Sequence, residues 1–356
     1  MPEIIPLASL ATLDGPDAVL HRGVLEVSKA SMTADIGNAD QAMTSADLIT
    51  FLKPSPHESG SAAVAVADGV VVGFATVWTP LADNPTLAEV YTQVHPDHRR
   101  LGVGEQLLTW AEQHASEQGR TTLHSWAHVL PLAPNAPAIA APTGGEYPAD
   151  APGVVLLGKH GFGLEQVQRA SCLQLPIDQS LFDKLHDDAV AHADGYRVHI
   201  WRAPLPDEWI DNFAELRSKV SVEAPFAGLD IEEEVWDADR LRQRWQDSDA
   251  VGYRQLVAVA EHVATNRLVA FSALGWQDTT PEVGWQGYTF VTSDHRGHRL
   301  GMLVKTEMLR QVAVQAPLIK RIYTENATEN APMLSINIDM GFQLAMLEGT
   351  FQKKTI

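Results

Sequence analysis

The strongest constraint on this chain is that it repeats itself. Val94-His95-Pro96-Asp97-His98-Arg99-Arg100-Leu101-Gly102-Val103-Gly104 aligns without a gap on Val291-Thr292-Ser293-Asp294-His295-Arg296-Gly297-His298-Arg299-Leu300-Gly301, 197 positions later. The same offset lays Tyr91-Thr92 over Tyr288-Thr289. Such a repeat predicts two copies of one supersecondary plan. A length of 356 residues also exceeds one ordinary core, so two domains are expected.

The surroundings of the two copies agree. Residues 61–67 and 70–78 are β-rich runs flanking Asp68-Gly69, and 255–260 and 268–276 flank a polar turn with Thr265-Asn266, so each copy opens on a hairpin. A helical stretch precedes it, clearest where Trp209, Phe213, Leu216 and Val220 recur at three- and four-residue spacing. An amphipathic helix follows each copy, with Val103, Leu107, Leu108, Ala111 and Ala115 running to Gly119, and Leu303, Val304, Met308, Leu309 and Val312 to Pro317. Short strands come next at 121–126 and 321–324, then Gly161-Phe162 and Gly341-Phe342, each leading into a last strand. The Pro-, Ala- and Gly-rich stretch 131–152 reads as a loop insertion in the first copy, and the polar, acidic stretch 177–194 as a linker. The expected division is an N-terminal α/β domain at 1–176, a linker at 177–194 and a C-terminal α/β domain at 195–356.

Forty-five acidic residues against 26 basic ones leave a net charge of −19. That balance disfavours nucleic acid and membrane surfaces as partners and favours a small amine. Cys172 is the one cysteine and lies in an alternating apolar stretch, so a packed strand thiol is expected and no intrachain disulfide can form. His295-Arg296-Gly297-His298 has no further ligand at suitable spacing, so no metal is expected. The start carries no basic end followed by an apolar run, and no uncharged stretch reaches the ~18 apolar residues of a membrane span. A cytoplasmic chain is the expectation; the oligomeric state is left open.

A strand entering a short basic, Gly-bearing turn that opens a helix suits a diphosphate. N–H groups at the helix start point outward, and the helix dipole favours an anion. Gly102 and Gly104 permit close approach, and Arg99 and Arg100 put local positive charge on an otherwise acidic chain.

Arg99, Gly102 and Gly104 match the R-x-x-G-x-G pyrophosphate signature of the GCN5-related N-acetyltransferases (GNATs), which the chain resembles once per half. The resemblance implies two tandem GNAT-like α/β (α+β) domains, each a mixed, mostly antiparallel sheet flanked by helices, a layout also found in mycothiol synthases. It implies acetyl-CoA as cosubstrate, held in the first half by Thr92, Gln93, Val94, Arg99, Arg100, Leu101, Gly102, Val103 and Gly104. In the second half it implies Thr289, Phe290, Val291, Arg296, Gly297, His298, Arg299, Leu300 and Gly301, although Arg299 stands at the first glycine position. Asn330, in the second copy only, resembles an asparagine that touches the pantetheine; as a residue before Ala331-Pro332 it also suits a helix cap.

Acyl transfer from a thioester needs donors for the carbonyl, which the resemblance places on the backbone of Thr92–Val94 and Thr289–Val291, and a carboxylate can deprotonate the amine. Glu89 fits that role in the first half. Its counterpart at 286 is glutamine, so Glu325 is the base candidate in the second, with Glu282 behind it. The family's tyrosine acid would fall at Leu157 and Asn337, where it is absent; Tyr288 and Tyr323 are substitutes. The expected activity is N-acetylation of a small amine by direct attack in a ternary complex, with the second half as the active one. The alternatives are a mycothiol-synthase-like cysteinyl-sugar acceptor and a non-catalytic CoA-binding or scaffold protein.

Overall fold

The computed structural model describes residues 2–223 and 227–355. Its chain forms two compact units, Met1–Gln168 with Ala227–Ile231 and Met346–Ile356, and Arg169–Phe226 with Glu232–Ala345.

The first unit runs β1 (Glu3–Pro6), α1 (Val19–Ile36), α2 (Ser45–Leu52), β2 (Glu58–Ala67), β3 (Val70–Pro80), β4 (Leu87–Val94), α3 (Val103–Glu117), β5 (Thr122–Val129), β6 (Ala138–Ala140), β7 (Glu146–Pro148) and α4 (Pro152–Lys159). Strand β8 (Gly163–Gln174) leads into the second unit. There follow α5 (Gln179–Ala191), β9 (Tyr196–Arg202), α6 (Asp207–Ser218), α7 (Val220–Glu223), α8 (Ala238–Ala250), β10 (Tyr253–His262), β11 (Arg267–Gln277), β12 (Val283–Val291), α9 (Leu300–Gln315), β13 (Arg321–Ala327), α10 (Ala331–Asp339) and β14 (Gln343–Lys354).

Hairpins form where the turn dipeptides stand, since Asp68 and Asn266 both take the left-handed backbone that such turns need. The strand order in the first unit is β1-β2-β3-β4-β5-β14, and in the second β8-β13-β12-β11-β10-β9. The β4–β5 and β12–β13 pairings are parallel, each closing over one helix, α3 or α9. Chain order would put the strand after each Gly-Phe pair in its own half. The structure exchanges them: β14 lies antiparallel to β5, with Leu347 opposite Val129, while β8 takes the place beside β13.

Apolar periodicity is spent on both sheet faces. In the first unit Val24 and Val27 of α1 and Leu48 of α2 pack on Val64 and Phe74. In the second, α9 supplies Leu303, Val304 and Met308 to one face, and α6 and α8 supply Phe213, Leu216 and Trp245 to the other. The stretch 177–194, expected as a linker, carries α5, whose Phe182 and Ala189 belong to the α9 core. Asp178 begins that helix by accepting the Leu181 N–H at 2.8 Å. Among the described residues no helix is long and apolar enough to cross a membrane.

Candidate active site

The two repeated loops fold alike. A 3-10 turn, Pro96–His98 or Ser293–His295, leaves each strand, and the following arginine reaches back to it: Nε of Arg99 donates to Val94 O (3.1 Å) and Nε of Arg296 to Val291 O (3.2 Å). Two left-handed residues then turn the chain into the helix. In the first loop they are Arg100 (φ +63°) and Gly102 (φ +81°); in the second, Gly297 (φ +88°) and Arg299 (φ +53°). The bend is thus kept in both copies although its glycine has moved, and each loop accepts one non-glycine residue in a conformation that disfavours a side chain. Neither helix start is capped by a side chain, so its first N–H groups remain for an anion. The last glycine of each loop serves packing: a Cβ on Gly104 would stand 3.1 Å from Leu156 of α4, and one on Gly301 3.1 Å from Ile336 of α10.

Beside each loop a wedge opens in the sheet. Strand β4 pairs with β5 from Leu87↔Thr122 to Glu89↔His124, and β12 with β13 from Val283↔Arg321 to Gln286↔Thr324. Beyond those points no pairing between them continues among the described residues. On their other sides β4 stays paired with β3 to Val94, and β12 with β11 to Val291. Thr92–Val94 and Thr289–Val291 therefore each turn one backbone edge to a gap that ends at a helix start. An extended, amide-bearing arm ending in a diphosphate fits that shape.

Residues 34–141 match the acetyltransferase (GNAT) family, a span that holds the first wedge and its loop. Over 99% of its length the chain superposes on a tandem GNAT protein from the clavulanic acid biosynthesis pathway, covering 98% of that chain at TM-score 0.74 and 24% identity. The chain has the tandem GNAT fold. It also superposes on a GCN5-related N-acetyltransferase from Sphaerobacter thermophilus, over 99% of this chain and 95% of that one, at TM-score 0.63 and 14% identity. At these identities the likeness to the solved structures is one of fold. No curated relative matches the sequence.

The two wedges differ in one backbone detail. Between β11 and β12 the register jumps from Ser272↔Thr289 to Leu274↔Gln286, so Gly287 and Tyr288 together oppose Ala273: a β-bulge. The β3–β4 register runs without a jump from Gly73↔Val94 to Trp78↔Glu89. The bulge turns Gln286 to the same face as Thr289, where Gln286 Nε2 donates to Ser272 Oγ (3.0 Å) and Thr289 Oγ1 lies 2.8 Å from it. Glu89 instead shares a face with Tyr91 and Gln93, by strand alternation. The offset that sets Glu89 over Gln286 in sequence therefore joins opposite faces.

The repeated tyrosine shows what the bulge changes. Tyr91 accepts from Gln93 Nε2 (2.9 Å) and stacks on Trp126, with ring centroids 5.0 Å apart. Burial first, then the charges of Asp35 and Glu348, push its phenol well above the usual range. The same face is filled further by His128, 3.0 Å from Glu348, and by Gln168, which donates to Glu348 at 3.0 Å. Tyr288, by contrast, is 44% exposed at the bulge, with the Arg217 guanidinium 4.5 Å over its ring.

Glu325 is half-buried and is the first residue of β13 past the paired stretch, at the apex of the second wedge. Alternation puts it on the side of Tyr323, which stacks on Trp285 (5.0 Å) away from α9. Glu282 lies at the other end of β12, beyond the paired stretch, and bridges Lys320 at 2.5 Å, which removes it from the wedge. Asn330 is the N-cap of α10, its side-chain oxygen accepting from Met333 N–H at 3.4 Å. Leu157 is buried, and Asn337 is buried with its amide donating to Asn326 Oδ1 (2.5 Å), so neither stands in for a tyrosine acid.

Three of the loop arginines have carboxylate partners within the protein. Arg99 donates to both oxygens of Asp35 (2.6 and 2.8 Å) and to Ser31 Oγ (2.8 Å), so its guanidinium clamps the loop to α1. Arg296 makes the matching but weaker contact, 3.2 Å to Glu223, and is 55% exposed against 20% for Arg99. Arg299 pairs with Asp188 of α5 at 2.8 Å. His295 Nδ1 lies 2.8 Å from the Tyr196 hydroxyl, with His298 packed on the same ring; burial first, then His262, holds the His295 imidazolium below its usual range. Arg100 is exposed and has no polar partner among the described residues, which leaves it for an anion. Because a bidentate, partly buried pair is worth more than an exposed one, Arg99→Ala is expected to cost about 2 kcal/mol and Arg296→Ala below about 1 kcal/mol. Denaturant unfolding of the two variants checks this; equal losses would contradict the clamp.

Arg217 and its neighbours on α8 were not visible in the sequence. They carry no motif and come from elements that only folding brings to the bulge.

Proposed function

We propose that the chain is an acetyl-CoA-dependent N-acetyltransferase whose second unit turns over, while the first holds CoA without catalysis. The observation that carries this reading is the contrast between Tyr288, open to solvent at a bulged strand, and Tyr91, closed into a buried polar network at the same repeat position. An acceptor can reach the second wedge from that face and meets filled space at the first.

Helix-start N–H groups of α9 would hold the diphosphate, and the free edge of Thr289–Val291 would hold the pantetheine arm and thioester carbonyl. The thioester supplies an acyl carbon with a leaving thiolate. Glu325, directly or through one water, would take the proton from the attacking ammonium, since only the neutral amine has a lone pair to give. As the N–C bond forms the C–S bond breaks, its electron pair leaves on sulfur, and the surplus proton of the new amide nitrogen passes to that thiolate or to solvent. A thiolate needs little help at a pKa of ~8.5, which is consistent with the lack of a tyrosine at 157 and 337. Tyr288 would then bound the acceptor rather than protonate sulfur.

The test is a matched pair of blocked loops. Gly104→Val and Gly301→Val each push a side chain toward α4 or α10, where even an added Cβ would stand 3.1 Å from Leu156 or Ile336. Calorimetry with acetyl-CoA should count two sites in the parent and one in each variant. Thiol release with an amine panel should survive Gly104→Val and vanish in Gly301→Val. Loss in the first variant alone would reverse the assignment, and no release with any amine would refute the enzymatic reading.

A further inference from the structure

The chain has 45 acidic and 26 basic residues, yet three arginines converge on one indole of the second unit. Arg217 of α6 and Arg240 and Arg244 of α8 place their guanidinium carbons 4.8, 4.4 and 5.7 Å from the Trp236 ring centre. Like charges gathered on one ring in this way repel one another and need a reason.

Two of the three have different duties. Arg240 is buried and donates to Val235 O at 2.5 Å, so it braces the segment that carries Trp236. Arg244 is exposed and contributes field. Arg217 is the one aimed at the wedge. Its side chain is 16% exposed and lies between two rings, Trp236 at 4.8 Å and Tyr288 at 4.5 Å. The Tyr288 side chain also takes a hydrogen bond from it, and a guanidinium with five N–H donors has others to offer an acceptor. Among the described residues its carboxylate neighbour is Glu234, at 3.5 Å, and that same oxygen takes the Trp236 indole N–H at 2.7 Å. The largely buried guanidinium therefore meets the Tyr288 side chain and Glu234 but has no close bidentate carboxylate of its own. Burial is the largest influence and works against its positive charge, Tyr288 and Glu234 offset part of that, and Arg244 adds to it, so an added anion there would be favoured.

Tyr288, the ring under Arg217, is the residue before Thr289–Val291, the strand edge assigned to the thioester. We propose that the acceptor of the second unit is an amine that also bears a carboxylate, an amino acid or a compound with that group, whose carboxylate is gripped by Arg217 while its body lies on the exposed ring of Tyr288. A planar, two-oxygen anion fits a flat fork and gives the bidentate pair that a lysine could not. The grip would also explain how a chain of this charge keeps an anionic acceptor close to its wedge. This inference rests on the proposed function for the choice of face, and the test separates the two.

Full-length protein is assayed for thiol release from acetyl-CoA with the common L-amino acids and with the amines left when each loses its carboxylate. Amino acids should be preferred by at least tenfold in kcat/KM for the accepted side chain. Arg217→Met should erase that preference, chiefly through a tenfold or larger rise in KM, with acetyl-CoA affinity unchanged. Arg217→Lys, which keeps charge without the fork, should restore only part of it, and thermal midpoints of both variants establish that they fold. Equal use of both series by the parent, or an equal loss for both in Arg217→Met, would overturn the assignment. Should no amine of either series be acetylated, the enzymatic reading fails, and calorimetric binding of the same two series decides the carboxylate site alone. Binding of amino acids that Arg217→Met abolishes would uphold it, and absence of any carboxylate preference would sink it.

Discussion

Replacing Lys305 with methionine is expected to stabilise the second unit strongly at neutral pH. Lys305 lies on α9, fully buried, with no hydrogen-bond partner for its ammonium among the described residues and the Phe342 ring 5.1 Å away. Burial alone pulls its pKa from 10.5 down to about 7. A lysine with a lowered folded pKa binds fewer protons folded than unfolded between those two values. Stability from this group therefore rises as pH climbs from about 7 toward 10.5, and the whole penalty is present below about 7. At ~1.4 kcal/mol per pH unit the penalty has a ceiling of about 5 kcal/mol, and relaxation of the core around the charge reduces what a mutation recovers to roughly 2–4 kcal/mol. Methionine keeps the length and flexibility of the chain while removing the charge. The midpoint of thermal unfolding at pH 7 should rise by roughly 5–10 °C, and the gain should shrink toward zero near pH 10. A variant no more stable than the parent, or a gain independent of pH, would show that the ammonium finds compensation.

The largest effect on activity is expected from Glu325→Gln. Glutamine fills the same space at the apex of the second wedge but cannot take a proton from an ammonium. Thiol release should fall by about 10²–10⁴-fold, with acetyl-CoA binding unchanged, and activity should return in part as rising pH deprotonates the amine in solution. Glu89→Gln is the paired measurement. Glu89 shares the closed face of Tyr91, so its loss should leave thiol release within about twofold. A small effect at Glu325 with a large one at Glu89 would move the chemistry to the first unit.

Much of this protein is legible in its sequence because the signals are local. Asp68-Gly69 and Thr265-Asn266 make turns for reasons contained in a few dihedrals. The spacing of Val103, Leu107, Leu108, Ala111 and Ala115 makes one helix face apolar wherever the helix packs, and all five are buried. The two phosphate-type bends follow from residues beside one another in the chain, including the unexpected exchange of glycine for Arg299, whose left-handed backbone keeps the bend. Asn330 was legible in both its senses, and its cap is the one that the geometry displays.

Other features depend on partners far away in sequence. Polar, acidic 177–194 has a linker's composition, but Phe182 and Ala189 found a core on α9 and made it a helix. Arg99 carries the signature of a phosphate ligand, and Asp35, 64 residues earlier, claims its guanidinium.

Short-range signals were enough to dictate two copies of one strand–loop–helix plan, each with an uncapped helix start behind a basic bend. Dihedral preference and apolar periodicity act over a handful of residues and need no distant partner. Which copy's sheet each terminal strand would join was left to long-range packing, since two similar sheet edges offer similar backbone groups to either strand. Packing also placed a bulge in β12 and not in β4, because a bulge is a mismatch between two strands and no single strand encodes it. That one extra residue turns Gln286 away, leaves Tyr288 open beneath Arg217, and makes two similar stretches of chain into two different surfaces.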